Sequence, residues 1–372
     1  MTPSAAAAQS TDRTELVQSR MAGEAFDVLL VCSPPNMAYV SGFRATPHER
    51  LIAVIVPQEG TLRAVVPSLE EEAARAALPA GTEVFTWRDE DGPRAALERS
   101  LEGLGTRAGV EKSYLTVAFF ELAVATLADA RFEDCGPLLT RLRAIKDEHE
   151  LECLRGAARA VDTAVTRLAA EELRPGRTER ELAAAAARLL QEEGGERLAF
   201  EPAVLTGTKS ALPHGHPDGT KVAPGDLVIV DIGTSVGGYC ADITRTFVVG
   251  VEPDARQQEL FAVVREAEAA GIRAAVADAT CADVDRAARR VIEDASLGER
   301  FVHRTGHGLG LEVHEPPYLT ATNEEPLEEG MVVTVEPGVY IEGYGGIRIE
   351  DDIVVSADQA IVLTQAPIAL SF

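Results

Sequence analysis

Between residues 226 and 247 the chain reads DLVIVDIGTSVGGYCADITRTF: an apolar run, a glycine-rich break, then a run rich in aromatic and β-branched residues. The spacing predicts strands over 227–232 and 239–249, joined across 233–238 by turn chemistry that suits a hairpin. Each strand carries an acid, Asp231 in the first and Asp242 in the second. A carboxylate inside an apolar strand is costly to bury unless its charge is compensated. A metal ion supplies that compensation, and two acids on paired strands can share one site.

Upstream, the pattern predicts a helix over 15–25, a strand over 25–32 and a chain break at Pro34-Pro35-Asn36. Further strands are expected at 37–41 and 51–56. Helices at 68–77, 93–104 and 117–128 then alternate with strands at 83–87 and 108–110. Such alternation implies an α/β domain with a mixed sheet. Its one polar group with functional promise is the loop holding Arg44, His48 and Arg50. Apolar residues at three- and four-residue spacing predict a long helix over 146–173, stopped by Pro175-Gly176. Thr178 followed by Glu181 is a capping box that opens the next helix, 179–192. The boundary is placed near residue 140, giving an α/β domain over 1–139 and a second domain over 140–372. A flexible tail is expected over 1–12.

The second domain contains a sparse internal repeat. Thr178 and Thr280 each open a helix, and GDLVIVDIG at 225–233 aligns with GMVVTVEPG at 330–338. The alignment sets Asp231 on Glu336, and the strand 239–249 against 345–355 sets Asp242 near Glu350. Each half becomes helix–helix–hairpin with one acid per hairpin strand. Four carboxylates cannot share a core without cations, because like charges at close range repel. Two divalent ions offset them, with His307 of the glycine-flanked run 304–310 as a neutral nitrogen ligand. Five such side chains suit two metals about 3.5 Å apart. Oxygen-rich ligation with one imidazole and no thiolate favours Mn²⁺, with Co²⁺, Fe²⁺ and Zn²⁺ as alternatives.

Composition narrows the partners. A length of 372 residues, 46% hydrophobic and 26% charged, fits a globular chain of two domains. A net charge of −25 argues against nucleic-acid or anionic-membrane partners. No secretory signal or membrane span is read, and five widely spaced cysteines without a CxxC pair point to free thiols in a reducing cytoplasm. Cys240, beside the acids, is read as packing.

The ordered set Asp231, Asp242, His307, Glu336 and Glu350 resembles the metal site of the pita-bread metallopeptidases, a family that includes methionine aminopeptidase, aminopeptidase P and prolidase. The segments VDIG, ADITRTF, HRTGHGLGLEVHEPP, VEPGVY and GIRIEDDIV carry the likeness over 140–372. FDVLLV at 26–31 and NMAYVSGF at 36–43 are similar to the extra domain of the proline-specific, creatinase-like branch. Methionine aminopeptidase normally lacks that domain. The resemblance implies an α+β fold: a pita-bread catalytic domain with a pseudo-twofold repeat, preceded by a creatinase-like domain.

It also implies chemistry. A hydroxide between two metals attacks the scissile carbonyl, and Glu336 carries the proton to the leaving nitrogen. Asp231 would bind one metal through both oxygens and Asp242 would bridge the pair. His214 and His314 match the family's substrate histidines, the latter holding the carbonyl. Thr244 would donate to a ligand. Arg348 would meet a substrate carboxylate, orient a ligand, or pair with the acids that follow it; Tyr340 is placed at the substrate-facing wall. His149 and His216 are read as surface or structural, and His303 as either lining the pocket or packing. The Arg44–Arg50 loop, from a partner subunit of a homodimer, would narrow the entrance.

The expected activity is that of an Xaa-Pro dipeptidase (prolidase), the compact length leaning away from aminopeptidase P and its longer peptides. Creatinase, which works without metal, lacks the full ligand set. A pita-bread binding module without catalysis is the non-enzymatic alternative, distinguished by metal content.

Overall fold

The structure, a computed structural model, describes residues 3–371. It divides into two compact units, Met1–Arg143 and Ala144–Phe372.

The first unit holds one six-stranded sheet in the order β4-β3-β2-β1-β5-β6. Its strands are β1 (Val28–Val31), β2 (Ala53–Pro57), β3 (Arg63–Pro67), β4 (Glu83–Trp87), β5 (Arg107–Val110) and β6 (Arg131–Asp134). Antiparallel β1–β2 and β2–β3 pairs combine with parallel β1–β5, β3–β4 and β5–β6 pairs, so the sheet is mixed. Every residue of β1 and β2 is buried, as their unbroken apolar runs require. The helices are α1 (Pro3–Glu24), α2 (Pro34–Ser41), α3 (Glu71–Ala77), α4 (Arg94–Leu101) and α5 (Val117–Thr126); α6 (Gly136–Ala144) spans the boundary between the units.

Three readings of this unit change. Residues 37–41 are the end of α2 and not a strand: Pro34 and Pro35 occupy its first turn, where the missing N–H would go unbonded anyway, so the proline pair starts a helix. Gly42 at φ 73° then closes it. Strands β3 and β6 went unpredicted; β6 is a largely exposed edge whose polar residues leave no apolar pattern. Of the tail expected over 1–12, residues 1–2 lie outside the described residues, and from Pro3 onward the backbone is already helical.

The second unit begins with α7 (Glu148–Arg167) and α8 (Glu179–Glu192), opened by capping boxes at Asp147/Glu150 and Thr178/Glu181. Strands β7 (Arg197–Leu198), β8 (Ala203–Thr206), β9 (Leu227–Val236) and β10 (Tyr239–Val248) form one sheet. The predicted six-residue turn is a two-residue one. Gly233, Thr234 and Ser235 continue β9, and only Gly237 and Gly238 turn, at φ 56° and 83°, the left-handed values such a tight hairpin needs. Leu154, Val161 and Val165 of α7 share a core with Val230, Ile232 and Ile243 of this hairpin.

The second half repeats the plan with a break. Helices α9 (Ala255–Ala274) and α10 (Cys281–Asp294) also begin at capping boxes, Asp254/Gln257 and Thr280/Asp283. Strands β11 (Gly306–Gly308), β12 (Glu315–Leu319), β13 (Val332–Val335), β14 (Gly338–Ile341), β15 (Gly345–Arg348), β16 (Asp351–Val354) and β17 (Ile361–Val362) follow. The hairpin aligned with β9–β10 is split in two: β13 pairs β16, whereas β14 pairs β15. The interruptions fall at Glu336-Pro337 and Ile349-Glu350. Glu350 is instead bridged to Thr244 of β10, its N–H reaching the Thr244 carbonyl at 3.2 Å. The two halves therefore meet where the four acids lie.

Candidate metal centre and active site

Asp231 lies opposite Thr244 in the β9–β10 register, and Asp242 is two residues before Thr244, so all three side chains share one face of the hairpin. Glu336 and Glu350 reach the same face from the two strand breaks. His307 comes from β11, where glycine spacing has a steric cause. A Cβ at Gly306 would overlap the Thr334 carbonyl, and one at Gly308 would meet the Glu315 and Pro316 carbonyls. The glycines of this motif let neighbouring strands close in on β11, and that packing places the imidazole.

Among the described residues, ligand-capable atoms fall into three groups, each within 4.8 Å: Asp242 with His307 and His314, His307 with Glu336 and Glu350, and Asp231 with Asp242 and Glu350. Asp242, Glu350 and His307 each belong to two groups. The groups interlock, as a site for two ions requires. His307 Nδ1–H donates to the Gly308 carbonyl at 3.1 Å, which leaves Nε2 with a lone pair, 3.4 Å from Glu336 Oε1.

The electrostatics call for cations. Asp242 and Glu350 are held well above the usual carboxylate range, first by burial and then by neighbouring acids. Glu336 is pushed up to about 7 by burial, with Asp231 adding repulsion against the pull of Arg348. Burial lowers His307 to about 3, with the neighbouring His314 adding to the effect, so this imidazole is neutral. Asp231 Oδ1 and Asp242 Oδ1 are buried without a hydrogen-bond partner among the described residues. Buried acceptors left unpaired beside repelling carboxylates fit divalent metal ions.

The surrounding residues fix the acids. Thr244 Oγ1 donates to Glu350 Oε2 at 2.6 Å and accepts from Arg348 Nε at 3.0 Å. Arg348 also donates to Asp231 Oδ2 at 2.5 Å and to Tyr340 Oη at 2.9 Å. Its partner is therefore Asp231 and not the acids that follow it; Asp351 pairs with Arg245 instead. Because Arg348 donates to Tyr340 Oη, the tyrosine hydroxyl is free to donate to His303 Nε2, 2.9 Å away. Tyr340 is thus a buried link in a hydrogen-bonded chain and is not among the cavity-lining side chains.

A cavity of about 700 Å³ opens over the acids. His214 and His314 line it, as do three polar or charged side chains the sequence reading did not place there: Glu201, Arg304 and His216. His303, left open between lining and packing, lines the cavity and also bonds Tyr340. The His307 and His314 rings stand edge to face with centroids 4.2 Å apart. His303 and Arg304 were legible only as flanks of the glycine motif. Asp352 is a further buried acid, accepting the Asp242 N–H at 3.0 Å. All lining side chains come from the second unit; Arg44 is an exposed residue of the first.

The sequence pattern of metallopeptidase family M24 matches residues 152–357, and that of the creatinase/prolidase N-terminal domain matches 13–145. The prolidase from Thermococcus sibiricus is 34% identical with a TM-score of 0.90, covering 96% of this chain and 98% of its own. A dipeptidase from Pyrococcus horikoshii OT3 is 36% identical with a TM-score of 0.89, over 96% and 99%. An X-Pro aminopeptidase from Thermotoga maritima MSB8 is 30% identical with a TM-score of 0.88, also over 96% and 99%.

Proposed function

The chain belongs to metallopeptidase family M24, and on that premise we propose that it is a dinuclear-metal Xaa-Pro dipeptidase that hydrolyses the bond before a C-terminal proline. The observation that carries this reading is the interlocked grouping of Asp231, Asp242, His307, Glu336 and Glu350 beneath a cavity of about 700 Å³. Chain length does not separate dipeptidase from aminopeptidase, since an X-Pro aminopeptidase is matched over 99% of its length. The higher identities to a prolidase and a dipeptidase, 34% and 36% against 30%, favour the dipeptide.

Those five residues would hold the two ions, which we take to be Mn²⁺ from the oxygen-rich donor set. When bound, the ions supply Lewis acidity and lower the pKa of water toward neutrality. Glu336, whose carboxyl is raised to about 7 by burial, would accept a proton from the attacking water and return it to the leaving nitrogen. His314, exposed at the cavity edge beside His307, donates to the scissile carbonyl as it becomes an oxyanion. His214, which also lines the cavity, meets the substrate near the same bond. Arg348 and Thr244 hold Asp231 and Glu350 in place. Five free cysteines, all buried, accord with a reducing compartment, and we place the protein in the cytoplasm, acting as a homodimer on the family resemblance. No helix of the described residues is long and apolar enough to cross a membrane.

The test is a peptide panel, Xaa-Pro against Xaa-Pro-Xaa and Xaa-Ala, with the metal varied. Selective cleavage of Xaa-Pro with Mn²⁺ is expected. Equal turnover of the tripeptide would move the assignment to aminopeptidase P. Inert, metal-free protein would favour a binding module.

A further inference from the structure

The cavity carries two arginines, and only one is engaged. Arg348 is buried and its guanidinium donates to Asp231, Thr244 and Tyr340. Among the described residues Arg304 makes no side-chain hydrogen bond or ion pair, and its guanidinium stacks 4.5 Å over the Tyr318 ring. Stacking holds the planar group while leaving its edge N–H donors unused. The backbone on either side is pinned. Arg289 donates to the His303 carbonyl at 2.9 Å, Thr305 Oγ1 donates to Asp285 at 2.7 Å, and the Thr305 carbonyl accepts from Glu336 N at 2.8 Å. Tyr318 is itself fixed opposite His307 in the β11–β12 register. A rigidly mounted, unpaired cation therefore lines a cavity whose other charged side chains, apart from the engaged Arg348, are acids.

We propose that Arg304 is the specificity-determining residue that receives the free carboxylate of the substrate's C-terminal proline. This deepens the dipeptidase reading and rests on it. A dipeptide presents a carboxylate one residue beyond the scissile bond, and the acids of this site would repel it. A forked guanidinium answers that repulsion with two charge-assisted bonds. A peptide extended past proline, or a proline amide, has no charge to offer there. Arg304 therefore sets chain length by recognising charge.

The test compares Ala-Pro with Ala-Pro amide in the metal-loaded enzyme and in R304Q, with R304K as the charge-retaining control. The ratio of kcat/KM for acid over amide should fall about 30-fold in R304Q, the size of a lost bond to a charged group, mainly through KM. R304K should restore part of it. Binding of L-proline against L-prolinamide, measured by calorimetry, reads the same contact without turnover and should lose its preference for the acid. An acid-to-amide ratio in R304Q within about threefold of wild type would overturn the proposal. A wild-type enzyme that cleaves neither compound but whose preference for L-proline depends on Arg304 would instead sink the dipeptidase reading and leave the carboxylate contact standing.

Discussion

Thr244 Oγ1 donates a 2.6 Å hydrogen bond to Glu350 Oε2 across the bridge that joins the two halves of the repeat. The same oxygen accepts from Arg348 Nε. One hydroxyl thus ties an acid of the second half to the arginine that holds Asp231 of the first. Thr244→Val keeps the shape and removes both bonds. Mn²⁺ affinity should fall about 10–100-fold, the usual cost of losing a group that orients a ligand, while Thr244→Ser stays near wild type. Metal titration by calorimetry reads this, and an unchanged affinity in the valine variant would contradict it.

Arg348 should matter more to stability than to substrate binding. Its three partners need Nε and both Nη atoms, so Lys cannot replace it. Arg348→Met leaves the largely buried Asp231 carboxylate unpaired in the metal-free protein. A loss of about 3–5 kcal/mol is expected there, as for other broken buried pairs, read from denaturant midpoints. A loss well below this would mean that Asp231 is solvated without it.

Tyr340→Phe should separate positioning from metal binding. The hydroxyl accepts from Arg348 and donates to His303, so its removal leaves two polar groups short, at about 1–3 kcal/mol. Both ions should still bind, since Tyr340 belongs to none of the ligand groupings. Loss of metal in this variant would show that the chain supports the acids directly.

The metal-free protein should weaken as pH rises from about 7 to 9. In that window the histidines no longer contribute to the slope. His303 and His307 are lowered to about 4 and 3, mainly by burial, and their unfolded counterparts are already neutral above about 6.5. Asp242, Glu350 and Glu336 have folded-state values raised by burial and mutual repulsion. The folded state therefore holds protons that the unfolded chain has released, and stability falls with rising pH. Glu268, raised to about 9 by burial and the nearby Asp351, adds a similar slope with or without metal. The informative quantity is the Tm difference between metal-loaded and chelated protein, which should widen with pH. A constant or narrowing difference would mean that the acids are not a repelling cluster.

The proposed ligand set was legible because acids at Asp231 and Asp242 interrupt strands that are otherwise apolar, and because the repeat set Glu336 and Glu350 beside them. The motif around His307 was legible too, but the reason for its glycines was not, since it depends on the Thr334, Glu315 and Pro316 carbonyls. Pairings distant in sequence stayed hidden: Arg348 with Asp231 is separated by 117 residues, and Tyr340 with His303 by 37. In the fold, the double proline at Pro34-Pro35 read as a break because a helix start and a chain break share that signal. Gly233-Thr-Ser read as a turn because its place in β9 is set by neighbouring strands, not by local preference.

The most direct measurement is the metal content and Ala-Pro turnover of Asp242→Ala, with circular dichroism to establish folding. Asp242 belongs to two of the three ligand groupings. A folded variant without tightly bound Mn²⁺ and with almost no turnover is the predicted result. Two ions retained per chain with wild-type hydrolysis would contradict the account.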